Sequence, residues 1–201
     1  MIPLGMLGAA RPRASGGGIY TTLNPSDKSS GVTLSGGDLV ASAPATSAGL
    51  ARSVHTITGK RYFEAVYTTV PGGSATIAAG VATSAAALAD SLGYSTATGW
   101  AFWGQSVGAR HAGSTAISGS ASSGDVFGFA VDKSTGRLWI HKNGTWIKGN
   151  PATNTSPIWS NLTGTLHAAA CPWDEGASIT MRFDPATFSH AAPTGFNPIL
   201  A

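Results

Sequence analysis

The sequence predicts an all-β fold, a bent antiparallel two-sheet β-sandwich with an extended N-terminal arm, and three observations carry that prediction. Its 27 glycines and 11 prolines divide 201 residues into short segments and leave few strong helix-forming stretches, which favours strands joined by turns over a helical bundle. About a dozen β-branched, aromatic or alternating segments lie at close spacing between those turns, as an antiparallel sandwich requires. Finally, the run Gly124 to Trp146 encodes two hairpins in succession. Val126 to Val131 and Arg137 to Ile140 flank Asp132 to Gly136, whose opening Asp and closing Gly suit a type I turn with a glycine bulge. Asn143-Gly144 supplies the two positive-φ positions of a type I′ turn, so His141-Lys142 should pair back on Thr145-Trp146.

Taken in order, residues 1 to 18 join an apolar decapeptide to Arg-Pro-Arg-Ala-Ser and three glycines. This reads as an arm on a flexible tether, with Ile2, Leu4, Met6 and Leu7 as its anchoring side chains; residues 19 to 201 form the sandwich domain. Tyr20 to Leu23 is expected as a first strand closed by a turn at Asn24 to Asp27. Short strands at Val32 to Leu34 and Leu39-Val40 flank the turn residues Gly36-Gly37-Asp38. Arg52 to Ile57 alternates and leads into Arg61 to Val70, apolar on both faces, with Tyr62 and Glu64 on one side and Phe63, Ala65 and Tyr67 on the other. That pattern predicts a central strand covered on both faces. Ala75 to Thr83 is a small-residue strand. Ser84 to Leu92 carries the only helical content, one or two turns capped by Ser84. Strands follow at Trp100 to Trp103, Arg110-His111 and Thr115 to Ile117. After the hairpins come a loop, Ile147 to Trp159, and the last two strands, Leu166 to Cys171 and Ser178 to Phe183, joined through Pro172 to Gly176.

Gly-Asp-Val-x-Gly at 124 to 128, followed by an acidic turn and an aromatic strand ending in Asn143-Gly144, resembles the central signature of the SPRY family. Further stretches match that pattern in order. Gly59 to Glu64 resembles its opening strand, Ala79 to Ala82 its Val-Gly-Val-Ala segment, and Gly99 to Phe102 its Gly-Trp strand. Thr165 to Ala169 resembles its Leu-Tyr-Pro-Ala strand, and Phe188 to Phe196 its closing motif. The resemblance implies a concanavalin A-like jelly roll that acts as a recognition module without catalytic residues, its ligands held by loops at one end. The matching loops are Val70 to Ala75, Ser84 to Tyr94, Trp103 to His111, Trp146 to Trp159 and Pro172 to Ala177. In or beside them lie Trp103, Arg110, His111, Trp146, Trp159 and Trp173, of the residue types that dominate binding energy once desolvated. Trp100 and Trp139 read as core.

Chemistry finds little support in the residues. Of the nine carboxylates, no two stand two or four apart, so no single strand presents the acid pair of a glycosidase. Asp125 and Asp132 bracket a strand at its turns, where capping backbone amides is the ordinary role. The five histidines are widely separated, giving no metal-ligand spacing, and no Gly-x-Ser-x-Gly elbow occurs. Neither an enzyme, a cofactor nor a metal site is expected. A net charge of +3 without a basic stripe argues against nucleic acid as partner. The lone Cys171 reads as a small core residue. No run is long and apolar enough to span a bilayer, and Arg11 and Arg13 follow the apolar decapeptide where a secretory signal places charge first, so neither membrane insertion nor a signal peptide is expected.

Charged residues are only 10%, which suits close packing against neighbours. The apolar tether resembles in style the N-termini of phage virion components, and SPRY-like domains with a Gly-Thr-Trp-Ile stretch, here Gly144 to Ile147, are also met in phage. The resulting expectation is a non-catalytic structural and recognition component of a bacteriophage particle, located in the virion. Its arm would anchor to capsid, neck or tail proteins in a symmetric assembly, and the sandwich would face a host surface glycan or protein. The alternatives are a carbohydrate-binding adhesin and a cytoplasmic protein-interaction adaptor.

Overall fold

The computed structural model describes residues 18–72, 77–104 and 107–201. Fourteen strands run through them: β1 (Leu23–Lys28), β2 (Thr33–Ser35), β3 (Val40–Ser42), β4 (Ala51–Thr56), β5 (Lys60–Thr69), β6 (Ala78–Thr83) and β7 (Gly99–Trp103), then β8 (Gly108–His111), β9 (Ser114–Ile117), β10 (Val126–Asp132), β11 (Arg137–Lys142), β12 (Thr145–Trp146), β13 (Leu166–Cys171) and β14 (Ser178–Arg182), with one 3₁₀ turn at Pro185–Thr187. They form two antiparallel seven-stranded sheets. The first is ordered β1-β4-β13-β6-β7-β8-β9 and the second β12-β11-β10-β5-β14-β3-β2, a β-sandwich of the SPRY jelly-roll type. The arm, with Ile2, Leu4, Met6 and Leu7, lies outside the described residues.

Both encoded hairpins form. Asp132 pairs with Arg137 around a turn closed by Gly136 at φ 65°. Lys142 pairs with Thr145 around Asn143 and Gly144, at φ 50° and 84°, the left-handed geometry that Asn and Gly tolerate. Asp125 and Asp132 do cap their turns: Asp125 Oδ2 accepts from Ser122 N at 2.7 Å, and Asp132 Oδ1 from Ser134 N at 3.1 Å. β5 is central, flanked by β10 and β14, and its two predicted faces enter two different layers. Phe63, Ala65 and Tyr67 point into the interior between the sheets, whereas Tyr62 joins an outer cluster with Ala130, Trp139 and Phe196.

Period-two alternation gives the same division in the first sheet. Ala79, Val81, Trp100, Phe102, Ala168 and Ala170 face inward, while Ala78, Ala82, Ala101, Trp103, Ala169 and Cys171 face outward. Inside, Phe102 stacks on Phe127 across the two sheets at 4.4 Å, and Phe63 on Phe129 at 5.1 Å. The buried Tyr67 hydroxyl ties the layers together by donating to Phe102 O and accepting from Ala79 N at 2.8 Å. Small residues on the first sheet's outer face let the segment 84–98 lie flat on it. The second sheet's outer face is covered instead by the C-terminal segment 188–197.

Two expectations are corrected. Tyr20 to Leu23 is not a strand ending in a turn: Tyr20 bridges Leu200, and β1 starts at Leu23 and continues through Asn24 to Asp27. Its register shifts between Leu23↔Ser53 and Lys28↔Ala51, a bulge that accommodates Pro25 on an edge strand. Asp27 is held there by Arg52, which donates from Nε and Nη2 to its two carboxylate oxygens at 2.9 and 2.7 Å. Second, Ser84 to Leu92 forms turns and no helix. Its carbonyls are claimed from outside: Ala86 O by Arg52 Nη1 at 3.2 Å and Leu88 O by Leu50 N at 2.8 Å. An alanine run of this length is too short to hold a helix against such competition. The last two strands enter different sheets, β13 the first and β14 the second.

Candidate recognition surface

Strand directions fix which loops share an end. β5 and β13 finish, and β6, β8, β10 and β14 begin, at one end, here termed upper. The described residues 70–72, 77, 104, 107 and 172–177 therefore lie at that end, as does 43–50. Contacts between them are direct. Ala48 N donates to Trp173 O at 3.1 Å and Gly176 N to Ala43 O at 2.9 Å, and a Cβ on Gly176 would sit 3.8 Å from Pro71 Cγ. The segment 84–98 leaves the lower end of β6, crosses the outer face and reaches this region, where Leu92 O accepts from Trp103 Nε1 at 2.8 Å. Four of the five loops expected to bind thus converge. The fifth, 147–159, runs along β11 instead: Trp139 Nε1 donates to Thr155 O at 2.8 Å, and Leu138 N to Trp159 O at 3.0 Å.

The six predicted ligand residues do not form one site. Trp103 is fully buried and serves as the floor of the outer cluster with Leu50, Leu92 and Cys171, so it is a core residue and not a surface contact. His111 is turned inward, stacked on Trp100 at 4.5 Å with its Nδ1 2.9 Å from Gly99 O. Trp159 packs against the main core, and Trp146 lies on the second sheet's outer face, edge-on to His141 at 5.0 Å. Only Arg110 and Trp173 remain partly exposed near the converged loops. Packed beside Arg110 is a residue that the sequence reading passed over, Tyr94, 39% exposed. Its ring meets Trp103 edge-on at 5.3 Å, and the Arg110 guanidinium lies 3.8 Å over its centroid. Arg110 Nη2 also donates to Gly113 O at 2.9 Å. Tyr94 was legible only as a loop aromatic, and nothing local tied it to Arg110. The arrangement is an aromatic shelf carrying one oriented cation, with Trp173 and Val107 on the same outer cluster and Glu175 exposed in the Trp173 loop. Such a surface can stack and hydrogen-bond a ligand.

A second grouping, also missed in the sequence, lies beneath the C-terminal segment. Glu64, fully buried, accepts from Ser189 N at 2.7 Å, His190 N at 2.8 Å, Tyr62 Oη at 3.0 Å and Arg182 Nη1 at 3.4 Å. Gly144 N donates to His141 Nδ1 at 3.2 Å, so the neutral ring carries its proton on Nε2, 2.6 Å from Tyr62 Oη. The protons therefore run in one sense, from Gly144 to His141 to Tyr62 to Glu64. Gly128 makes this possible. It pairs with Glu64 on one side and His141 on the other, and a Cβ there would come within 2.0 Å of His141 Nε2 and 2.5 Å of Tyr62 Oη. Burial, with His190 beside it at 5.1 Å, pulls the His141 pKa down to about 4; burial raises that of Tyr62 above the ordinary phenol range. With every acceptor of Glu64 engaged, the cluster acts as a clasp fastening the C-terminal segment to the sheet.

Among the described residues no three His, Cys, Asp or Glu side chains gather at a metal-holding distance, and no helix there is long and apolar enough to cross a membrane. Cys171 is fully buried, its thiol pushed up to about 12 by that burial, the opposite of an activated nucleophile.

Comparison with known proteins bears on the fold. No family profile matches the sequence, and no curated protein sequence does. Solved structures do match. The SPRY domain of human HERC1 is 15% identical at a TM-score of 0.61, with 80% of this chain and 96% of that one covered. The TRIM65 PSpry domain is 17% identical at 0.58, covering 81% and 88%. Stonustoxin is 16% identical at 0.54, covering 81% of this chain and 27% of its own. The chain is similar to these in fold over four-fifths of its length.

Proposed function

We propose that this chain is a non-catalytic recognition module that grips a protein partner through the outer face of the first sheet around Tyr94, Arg110 and Trp173. The observation that carries the reading is the convergence of four loops from a rigid sandwich on one partly exposed aromatic and arginine shelf. Those are the residue types that anchor interfaces, and loops on a fixed scaffold are where binding residues concentrate. The fold shared with SPRY domains supports the same reading, since the family resemblance implies recognition through loops at one end. Partner contact here would desolvate Arg110 against Tyr94, strengthening both the stacking and any hydrogen bond the guanidinium gives.

The test is selection of peptides from a randomised display library on the immobilised full chain, followed by titration of the enriched sequences. Binding should weaken about tenfold or more in Tyr94→Ala and in Arg110→Ala with the unfolding midpoint held, as loss of a buried aromatic or arginine anchor predicts. Enriched peptides that bind both variants as tightly as the original, or no enrichment at all, would remove the proposal. The finer reading, a bacteriophage particle component anchored by residues 1–18, is carried by the sequence alone. Deleting those residues and finding unchanged particle occupancy would remove it.

A further inference from the structure

We infer that the lower end of the sandwich, apart from the recognition shelf, is a binding site for a small polyhydroxylated anion, a sugar acid or sugar phosphate, centred on Lys133. Three turns meet there: 57–59 between β4 and β5, 133–136 between β10 and β11, and 163–165 leading into β13. They leave an open cleft of about 360 Å³ lined by Thr56, Ile57, Thr58, Lys133, Ser134 and Thr165, with Gly59, Gly164 and Leu166 completing it. That volume suits a monosaccharide-sized molecule.

The lining has the chemistry of such a ligand. Ile57 and Leu166 are core residues and give an apolar floor, against which the C–H face of a sugar ring would rest. Thr56, Thr58 and Thr165, all exposed, ring it with hydroxyls that both donate and accept, and the exposed Ser134 hydroxyl, whose proton goes to Asp132 Oδ1, can accept. Lys133 supplies the cation. Its backbone N–H is fixed to Gly59 O at 2.8 Å, which sets the base of the side chain, while its ammonium makes no ion pair or hydrogen bond with a described residue. Arg61 stands close by, its Nη2 3.5 Å from Thr58 Oγ1.

The surrounding charge is arranged to leave that ammonium available. Asp132, the carboxylate next to it, is buried and already accepts from Ser134 N, Ser134 Oγ and Thr135 N, with the Lys60 ammonium 3.9 Å away. Lys60, Arg61 and Lys133 thus stand by this turn, whose own carboxylate, Asp132, is already engaged. An anionic group entering the cleft meets a positive field and a free donor.

The experiment is a titration of the full ¹⁵N-labelled chain with glucuronate and with glucose 6-phosphate, with glucose and inorganic phosphate as the separate halves of the chemistry. At least one of the two sugar anions should shift the Thr58, Gly59, Lys133, Ser134 and Thr165 amides saturably in the millimolar range, and whichever binds identifies the anion's source. Glucose and phosphate alone should each bind about tenfold more weakly. Lys133→Gln, on an exposed turn whose backbone bond survives, should weaken binding about tenfold with the unfolding midpoint unchanged; Thr165→Val should weaken it several-fold. No saturable shift by either sugar anion up to about 20 mM, unchanged affinity in Lys133→Gln, or phosphate alone binding as tightly as the sugar phosphate would overturn the inference.

Discussion

Acidification should weaken this fold in a way that one side chain accounts for. His141 is 2% exposed, and burial holds its pKa at about 4 against an ordinary 6.5. Its Nδ1 faces the Gly144 N–H, so a second ring proton would point at a donor and break the chain of bonds to Glu64. The unfolded chain takes up that proton as pH falls through 6.5, while the folded chain resists it until about 4. Stability from this source is therefore fully present above pH 6.5, falls between 6.5 and 4, and levels off below. At 1.36 kcal/mol per pKa difference, the loss is about 2 kcal/mol by pH 5 and about 3 kcal/mol by pH 4. Urea unfolding followed by tryptophan fluorescence at pH 7.5, 6, 5 and 4 measures it, with His141→Gln as reference. Gln retains an amide donor for Tyr62 Oη but does not titrate in this range, so the wild type should lose about 2 to 3 kcal/mol more than the variant across the series. Parallel pH dependences in the two proteins would mean that His141 titrates normally, and the clasp as described would be wrong.

Four further substitutions probe other joints. Gly128→Ala places a Cβ 2.0 Å from His141 Nε2 and should cost about 3 kcal/mol or more by severing the Tyr62 to His141 bond, read as a lowered urea midpoint. Tyr67→Phe leaves the buried Ala79 N–H and Phe102 carbonyl without the hydroxyl that joins the sheets; a loss of roughly 1–3 kcal/mol with fluorescence and circular dichroism transitions still coincident is expected. Asp27→Ala strands the Arg52 guanidinium, 8% exposed, and should cost about 3 kcal/mol while raising amide exchange through 83–92, the segment that Arg52 also holds. The Arg52 guanidinium holds the Asp27 carboxyl below the usual carboxylate range, so this pair's contribution is present above pH 3.8 and disappears as pH drops below it. Trp103→Ala removes the floor of the outer cluster and should cost about 3–5 kcal/mol.

Local chemistry made part of this molecule readable. Asn143-Gly144 and the Asp132 to Gly136 turn carry their geometry in adjacent residues, and β5 showed its two covered faces by composition alone. What was not readable depends on partners distant in the chain. The β1 bulge and the non-helical course of Ser84 to Leu92 both follow from Arg52, which reaches Asp27, Thr83 and Ala86 at once. Glu64, Tyr62 and His141 meet across Gly128 from β5 and β11, and His190 joins them only because the C-terminal segment crosses the second sheet. A glycine at 128 inside an otherwise bulky central strand was the one available sign that something must approach the backbone there. The recognition shelf was half visible: Arg110 and Trp173 were chosen by residue type and loop position, but so were Trp103, which is buried beneath the outer cluster, and His111, which faces inward. Residue type does not distinguish a tryptophan that closes a cluster from one that stands beside it.

The claim that matters most is that binding takes place on the loops around Tyr94, Arg110 and Trp173. Amide exchange of the full chain, measured with and without a display-selected peptide, tests it directly. Protection should concentrate at 93–96, 107–111 and 172–176, leaving the clasp segment 188–197 and the lower-end turns unchanged. Protection centred on 188–197 or on 57–59 and 133–136, with the upper loops unaffected, would contradict the account.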